Sequence, residues 1–186
     1  MLERIGVYGG SFDPIHFGHL ILAREAKEQL GLSRVLFVPA VVSPHKLDRP
    51  PSSPDLRCRV LQAAIEEEPG FEMDDSEIRR QAVPSYTIDT VRLLRERHPG
   101  VEMDYFIGDD NLSELHTWKE IDLLRELVRF VVLSRGGHPV PEGMPVIRRR
   151  IDISSTDIRN RIASGQSVRY LLPEKAWHIL INQSPA

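Results

Sequence analysis

The sequence predicts an α/β fold built on a doubly wound parallel sheet with helices on both faces, and three observations predict it. Short apolar, β-rich runs alternate with longer stretches whose apolar residues recur at helical spacing. The first such run ends in Gly9-Gly10 and passes directly into a helical stretch, giving strand, glycine loop and helix in succession. No repeat, low-complexity tract or linker interrupts the alternation, and 186 residues with 41% hydrophobic content suffice for one buried core. The expected arrangement is a single Rossmann-like domain over residues 1–186, with ligands bound beyond the carboxyl ends of the strands.

Arg4 to Tyr8 reads as the first strand on its short apolar pattern. From Phe17 to Leu30, one helix face is marked by Leu20, Ala23, Ala26, the stem of Lys27 and Leu30. Val35 to Val38 is a second buried-strand pattern. The Pro- and Ser-containing segment from Pro39 to Pro54 then reads as an ordered functional loop carrying His45 and Lys46. A helix from about Asp55 to Glu67, a strand from Phe71 to Asp74, a helix from about Thr87 to Arg97 and a strand from Met103 to Ile107 follow. The pattern continues with a helical stretch around Trp118 to Leu127 and strands at Phe130 to Leu133 and Val146 to Ile151. A last pair of helices comes after Ser154.

A formal charge of -3 from intermixed acids and bases gives no global field toward nucleic acid or an anionic membrane, so any anion site must be local. Cys58 is the only cysteine, which excludes an intrachain disulfide. In a helical pattern it reads as a small core residue in a reducing compartment. Met1 to Arg4 leads into the first strand without the apolar stretch of a signal peptide or a membrane helix. The expectation is a cytoplasmic protein with neither nucleic-acid nor membrane partner; oligomeric state has no signature in the sequence.

The string Gly9-Gly10-Ser11-Phe12-Asp13-Pro14-Ile15-His16-Phe17-Gly18-His19 lies at the first strand-to-helix junction. Glycines let backbone amides come close to a phosphate. Asp13-Pro14 reads as a turn, and His16 and His19, three residues apart at the helix start, share a face on which both imidazoles can meet one anion. The helix N-terminus is expected to add free N–H groups and the positive end of its dipole. Seen alone, such a pair is more often only the polar start of a helix. The string is neither G-x-G-x-x-G nor G-x-x-x-x-G-K-[ST], which excludes a dinucleotide fingerprint and a Walker A loop. No third ligand of Cys, Asp or Glu type joins the histidines in a recognisable zinc pattern.

A second cluster, Ser154-Ser155-Thr156, introduces a helical stretch closed by Gly165, with Asp157 at capping-box-like spacing and Arg159 on the next turn. By itself this is a well-capped helix. Beside the first cluster, its hydroxyls and Arg159 suit a second group of phosphates.

Both strings resemble motifs of one superfamily, the nucleotidyltransferases. The first resembles its H-x-G-H signature in the form carried by bacterial nicotinate mononucleotide adenylyltransferases, and Ile153 to Arg159 resembles its ISSTxIR motif. Three further strings resemble that family: Ser85-Tyr86-Thr87-Ile88-Asp89-Thr90 its SYTxDT motif, Gly108-Asp109-Asp110 its G-x-D motif, and Trp118-Lys119 its ring-stacking tryptophan. Ser43-Pro44-His45-Lys46 resembles the PPHK loop with serine in the first position, and Arg135-Gly136-Gly137 stands where R-P-G is usual. The resemblance implies transfer of the adenylyl group of ATP to nicotinate mononucleotide with release of pyrophosphate. Mg²⁺ then enters with ATP, and the protein contributes no metal site of its own. It assigns His16, His19 and Arg159 to catalysis, and Gly9, Gly10, Ser11, Phe12, Gly18, Asp110, Ile153, Ser154, Ser155 and Thr156 to ATP. It assigns His45, Lys46, Thr87, Gly108, Trp118 and Arg135 to the mononucleotide.

Competing readings meet specific residues. A sister enzyme such as a phosphopantetheine adenylyltransferase would keep the phosphate motifs but not Ser85 to Thr90 or Trp118. A non-catalytic nucleotide-binding module would have lost a histidine or the serine and threonine hydroxyls, and all are present. An RNA-binding reading, drawn from the related H-x-G-H domain of class I tRNA synthetases, finds no anticodon-binding extension and no basic surface signal.

Overall fold

The computed structural model of the chain describes residues 2–42, 50–81, 83–136 and 139–182. Its strands are β1 (Arg4–Gly10), β2 (Arg34–Pro39), β3 (Phe71–Met73), β4 (Glu102–Gly108), β5 (Arg129–Ser134) and β6 (Val146–Arg148). They form one sheet in the order β3-β2-β1-β4-β5-β6, every neighbouring pair parallel. The chain leaves β1 toward β2 on one side and leaves β4 toward β5 on the other. A crevice therefore opens beyond the carboxyl ends of β1 and β4, where doubly wound sheets bind their ligands.

The connections carry α1 (Phe17–Leu30), α2 (Pro54–Ile65), α3 (Ser76–Arg80), α4 (Thr87–Arg97), a 3-10 helix (Asp109–Thr117), α5 (Ile121–Leu127), α6 (Ser155–Ala163) and α7 (Glu174–Ile181). Successive strand residues point to opposite faces, so each central strand feeds two cores. On one face Tyr8, Val35, Phe37, Phe106 and Val131 pack with Leu22 and Ala26 of α1, Leu61 of α2, Ile158 of α6 and Ala176 of α7. On the other, Ile5, Val7, Leu36, Val38 and Met103 pack with Ile88, Val91 and Leu94 of α4 and Leu124 of α5. Among the described residues no helix is long and apolar enough to cross a membrane.

The expected bounds of α1 and α4 coincide with the observed ones, and the structure shows capping signals at both ends of α1. These are the His16 cap and Gly31, which closes the helix at φ 64°. The helical stretch expected around Trp118 to Leu127 forms from Ile121 onward, ending at Leu127 as expected and starting three residues late. Trp118 closes the 3-10 helix, Glu120 adopts φ 53°, and α5 begins only at Ile121. The strand expected to reach Ile151 stops at Arg148, since its partner β5 ends at Ser134 directly opposite. The short helix α3 and the 3-10 helix were not foreseen.

Glycine is required at position 6 of the central strand by packing. A Cβ there would stand 2.6 Å from Cζ of Phe106 and 3.1 Å from Cδ1 of Leu32. Both neighbours are buried and cannot swing away. Gly6→Ala is therefore expected to cost about 1–3 kcal/mol through overpacking, read as a lowered urea midpoint with an unchanged denaturant slope.

Candidate active site

The first wall of the crevice is the turn from β1 into α1. The His16 ring is 1% exposed, and its Nδ1 accepts the Gly18 N–H at 3.1 Å. The His16 N–H in turn donates to Nδ1 of His19 at 3.3 Å, and the two rings lie 3.9 Å apart between centroids. The two imidazoles do share a face, as their spacing predicts. Because the His16 Nδ1 lone pair is engaged, its ring hydrogen sits on Nε2, a buried atom with no acceptor among the described residues. Burial, with the Arg135 charge adding to it, pushes the His16 pKa down to about 3, so the ring is a neutral donor. A Cβ on Gly18 would stand 2.9 Å from this ring, which explains the glycine between the histidines.

One expectation is corrected here. The N–H groups that begin α1 are not free: Phe17 donates to Leu171 O at 3.0 Å, Gly18 to the His16 ring, and His19 and Leu20 both to His16 O. Capping from within the chain has taken the donors that an anion would use, leaving the imidazoles and the helix dipole. The Phe12 side chain is likewise unavailable to ATP. It is 3% exposed and packed edge-on against Tyr8 and His19, so only its backbone can meet a ligand.

The start of α6 supplies the second wall. Ser154 caps it, accepting the Asp157 N–H at 3.1 Å, while the amides of Ser155 and Thr156 have no acceptor among the described residues. Here open N–H groups do remain at a helix N-terminus. Ser155 Oγ donates to Pro14 O at 2.9 Å. Arg159 donates to Asp13 O and, at 3.1 Å, to Thr156 Oγ1, and its guanidinium lies 3.9 Å from the Asp13 carboxylate. Arg135, after β5, donates to Ile153 O at 2.8 Å. The two clusters, far apart in sequence, are thus fastened together through backbone carbonyls of the β1–α1 turn.

Beside them lies a pocket of about 210 Å³ lined by Gly9, Gly10, Ser11, Thr87, Gly108 and Trp118, all expected site residues. Trp118 packs edge-on against Tyr105 and Phe130, with ring centroids 6.2 and 6.1 Å away. It serves the core while one part of it faces the pocket. Asp110 is exposed on the 3-10 helix and accepts from Asn111 at 3.2 Å. His45 and Lys46 lie outside the described residues.

The pocket also contains residues that the sequence reading did not assign to the site. Tyr105 is one: its hydroxyl lies 3.4 Å from Thr87 Oγ1, and burial raises its pKa, keeping it a phenol. Glu77, on the unforeseen α3, is buried and bonded by the Thr90 hydroxyl; burial raises its pKa too. Lys119 lines the pocket with its ammonium 4.6 Å from the Tyr86 ring centroid and 3.4 Å from the Asp89 carboxylate. Only the strand position of Tyr105, one residue pair before Gly108, was a usable signal in the sequence.

Fold and site together define a nucleotide-handling α/β protein of the nucleotidyltransferase class, with two imidazoles on one side of a crevice and a hydroxyl-rich helix start on the other. The cytidylyltransferase-like family matches residues 7–161. The chain is 42% identical over 175 residues to a probable nicotinate-nucleotide adenylyltransferase of Lactiplantibacillus plantarum, covering 92% of this chain and 82% of that one. It is 41% identical over 181 residues to another of Opitutus terrae, covering 93% and 92%. The nicotinic acid mononucleotide adenylyltransferase of Plasmodium falciparum, solved in complex with NaAD, superposes with a TM-score of 0.80 at 18% identity, covering 97% of this chain and 95% of that one. The chain belongs to the nicotinate-nucleotide adenylyltransferases of the cytidylyltransferase-like family.

The state of His16 can be read directly. Its ¹⁵N resonances are expected to stay those of a neutral Nε2–H imidazole between about pH 5 and about pH 8, where a solvated histidine titrates near 6.5. Since the folded pKa lies below the unfolded one, the unfolded chain binds the extra proton first. This group's contribution to stability is present above about pH 6.5 and is lost as the pH falls toward 3.

Proposed function

We propose that the crevice joins ATP to nicotinate mononucleotide, giving nicotinate adenine dinucleotide and pyrophosphate, and that the whole chain works as one nucleotidyltransferase domain. The observation that carries this reading is the fastening of the α6 start to the β1–α1 turn through Ser155, Arg159, Pro14 and Asp13, beside a pocket with an aromatic wall at Trp118. That arrangement suits two substrates whose phosphates meet at the turn.

In the proposed reaction a 5′-phosphate oxygen of the mononucleotide attacks the α-phosphorus of ATP. The new P–O bond forms as the bond to the β-phosphate bridging oxygen breaks, and the electron pair leaves with pyrophosphate. A phosphate monoester with a second pKa near 6 is already largely dianionic at neutral pH, so no general base is needed. Positioning and charge stabilisation then provide the catalysis. His19 meets the ATP phosphates nearest the transition-state oxygens, and His16, whose own Nε2 is buried, holds that ring by donating its backbone N–H to His19 Nδ1. The open amides of Ser155 and Thr156, the hydroxyls of that turn and Arg159 hold the departing pyrophosphate. ATP is taken as its Mg²⁺ complex, the ion being held mainly by phosphate oxygens and water. Thr87 and neighbouring backbone amides at the start of α4 face the pyridine carboxylate while Trp118 packs against the ring. Gly108, Arg135, His45 and Lys46 are assigned to the mononucleotide. Gly9, Gly10, Ser11, Gly18, Asp110, Ile153 and the backbone of Phe12 are assigned to ATP.

Pyrophosphate release with Mg-ATP and nicotinate mononucleotide, nicotinamide mononucleotide or phosphopantetheine tests the assignment. Turnover is expected with the nicotinate form. Preference for phosphopantetheine would leave the phosphate chemistry standing and remove the pyridine site. His19→Ala is expected to lower kcat by about 10²–10³, the effect of deleting one donor to a transition-state oxyanion. Trp118→Leu is expected to raise KM for the mononucleotide and leave KM for ATP near its original value.

A further inference from the structure

Arg57 is 2% exposed, although its place on α2 between Asp55 and Arg59 reads as one more surface charge. The reaction scheme does not use it. A guanidinium withdrawn from water persists only if its donors are satisfied, and here three backbone carbonyls do so. Nε donates to Ser52 O at 2.9 Å, Nη1 to Ser11 O at 2.7 Å and Nη2 to Val41 O at 3.2 Å. Among the described residues no carboxylate forms an ion pair with it. The nearby Asp13 instead accepts the Ser52 N–H at 3.2 Å. The charge is devoted to holding three separate stretches of backbone.

Two of those stretches reach the pocket. Ser11 and Ala40 line it, and Ala40 N–H donates to Gly10 O at 2.9 Å. Val41 N–H donates to Ser85 Oγ at 3.0 Å, and Ser85 N–H to Val42 O at 2.9 Å. The guanidinium therefore stands where the end of β1, the segment after β2 and the approach to α4 converge. A planar fork of five donors can reach three carbonyls at once; a lysine ammonium on a flexible stem cannot hold the same three in fixed geometry.

We propose that Arg57 is a positioning residue for the acceptor half of the reaction. Its fork sets the separation between Ser11, assigned to ATP, and the Val41 segment bonded to Ser85 at the approach to α4, and so how the acceptor is placed against ATP. This rests on the adenylyl-transfer reading of the same pocket. Arg57→Lys and Arg57→Met test it, with Arg59→Met, an exposed neighbour, as control. The readouts are Kd for nicotinate mononucleotide by calorimetry, KM for each substrate, kcat, and thermal unfolding. For Arg57→Lys, Kd and KM for the mononucleotide are expected to rise about tenfold or more, equivalent to about 1.4 kcal/mol. KM for ATP is expected to rise as well, because Arg57 also holds the Ser11 backbone on the ATP side, and Arg57→Met should be worse than Arg57→Lys. Should Arg57→Met not fold, Arg57→Lys decides alone. A folded Arg57→Lys that binds the mononucleotide as the parent protein does, or that loses only kcat in proportion to its folded fraction, overturns the positioning role. A parent protein that neither binds nor adenylylates the mononucleotide overturns the underlying reading and the role with it, and the two failures are told apart by that measurement.

Discussion

The His16 ring accepts the Gly18 amide hydrogen, and the first wall of the crevice is arranged around that bond. It ends β1's run toward the crevice by fixing where α1 begins, and it commits one ring nitrogen so that the other is a donor. It also brings the imidazole so close to position 18 that no side chain fits there. A charged imidazolium could not accept this hydrogen bond, so capping and neutrality require each other. The Arg135 charge and the surrounding apolar packing both act in the same direction.

Two helix starts with similar sequence credentials divide the work between them. At α1 the first amides are consumed by the chain, and recognition passes to side chains. At α6 Ser154 satisfies one amide and leaves those of Ser155 and Thr156 open. The difference lies in the capping group. At α1 the histidine cap folds back onto Gly18 and the Leu171 carbonyl takes the Phe17 amide, whereas the serine cap of α6 takes only the Asp157 amide. Motif resemblance does not distinguish the two.

Much of the fold was legible because its signals are local. The apolar runs of β1, β2, β4 and β5, the helical spacing of α1 and α4, and the capping residues His16 and Ser154 each act within a few residues. What escaped depends on distance. Glu120 takes a left-handed backbone that its side chain does not announce, so the break between Trp118 and α5 was invisible. The five residues of α3 are too few for a periodicity, and Glu77 reads as a surface acid until the fold buries it. Arg57 is the extreme case: its acceptors come from residues 11, 41 and 52, and no window along the chain contains them all. In the site, the motif residues around Gly9, Thr87, Gly108 and Trp118 were found by resemblance. Glu77, which no motif marks, needed the pocket itself.

The carbonyls of Asp13 and Pro14 are taken by Arg159 and Ser155, and the amide of Phe17 by Leu171. The opening turn of the protein is thus finished by its last third. A chain made only through β6 has every strand, and Arg57 and Ser52 already on Ser11 and Asp13, but lacks the residues that take the Asp13 and Pro14 carbonyls. The two walls of the crevice are therefore joined only once the residues from Ser155 onward have been made.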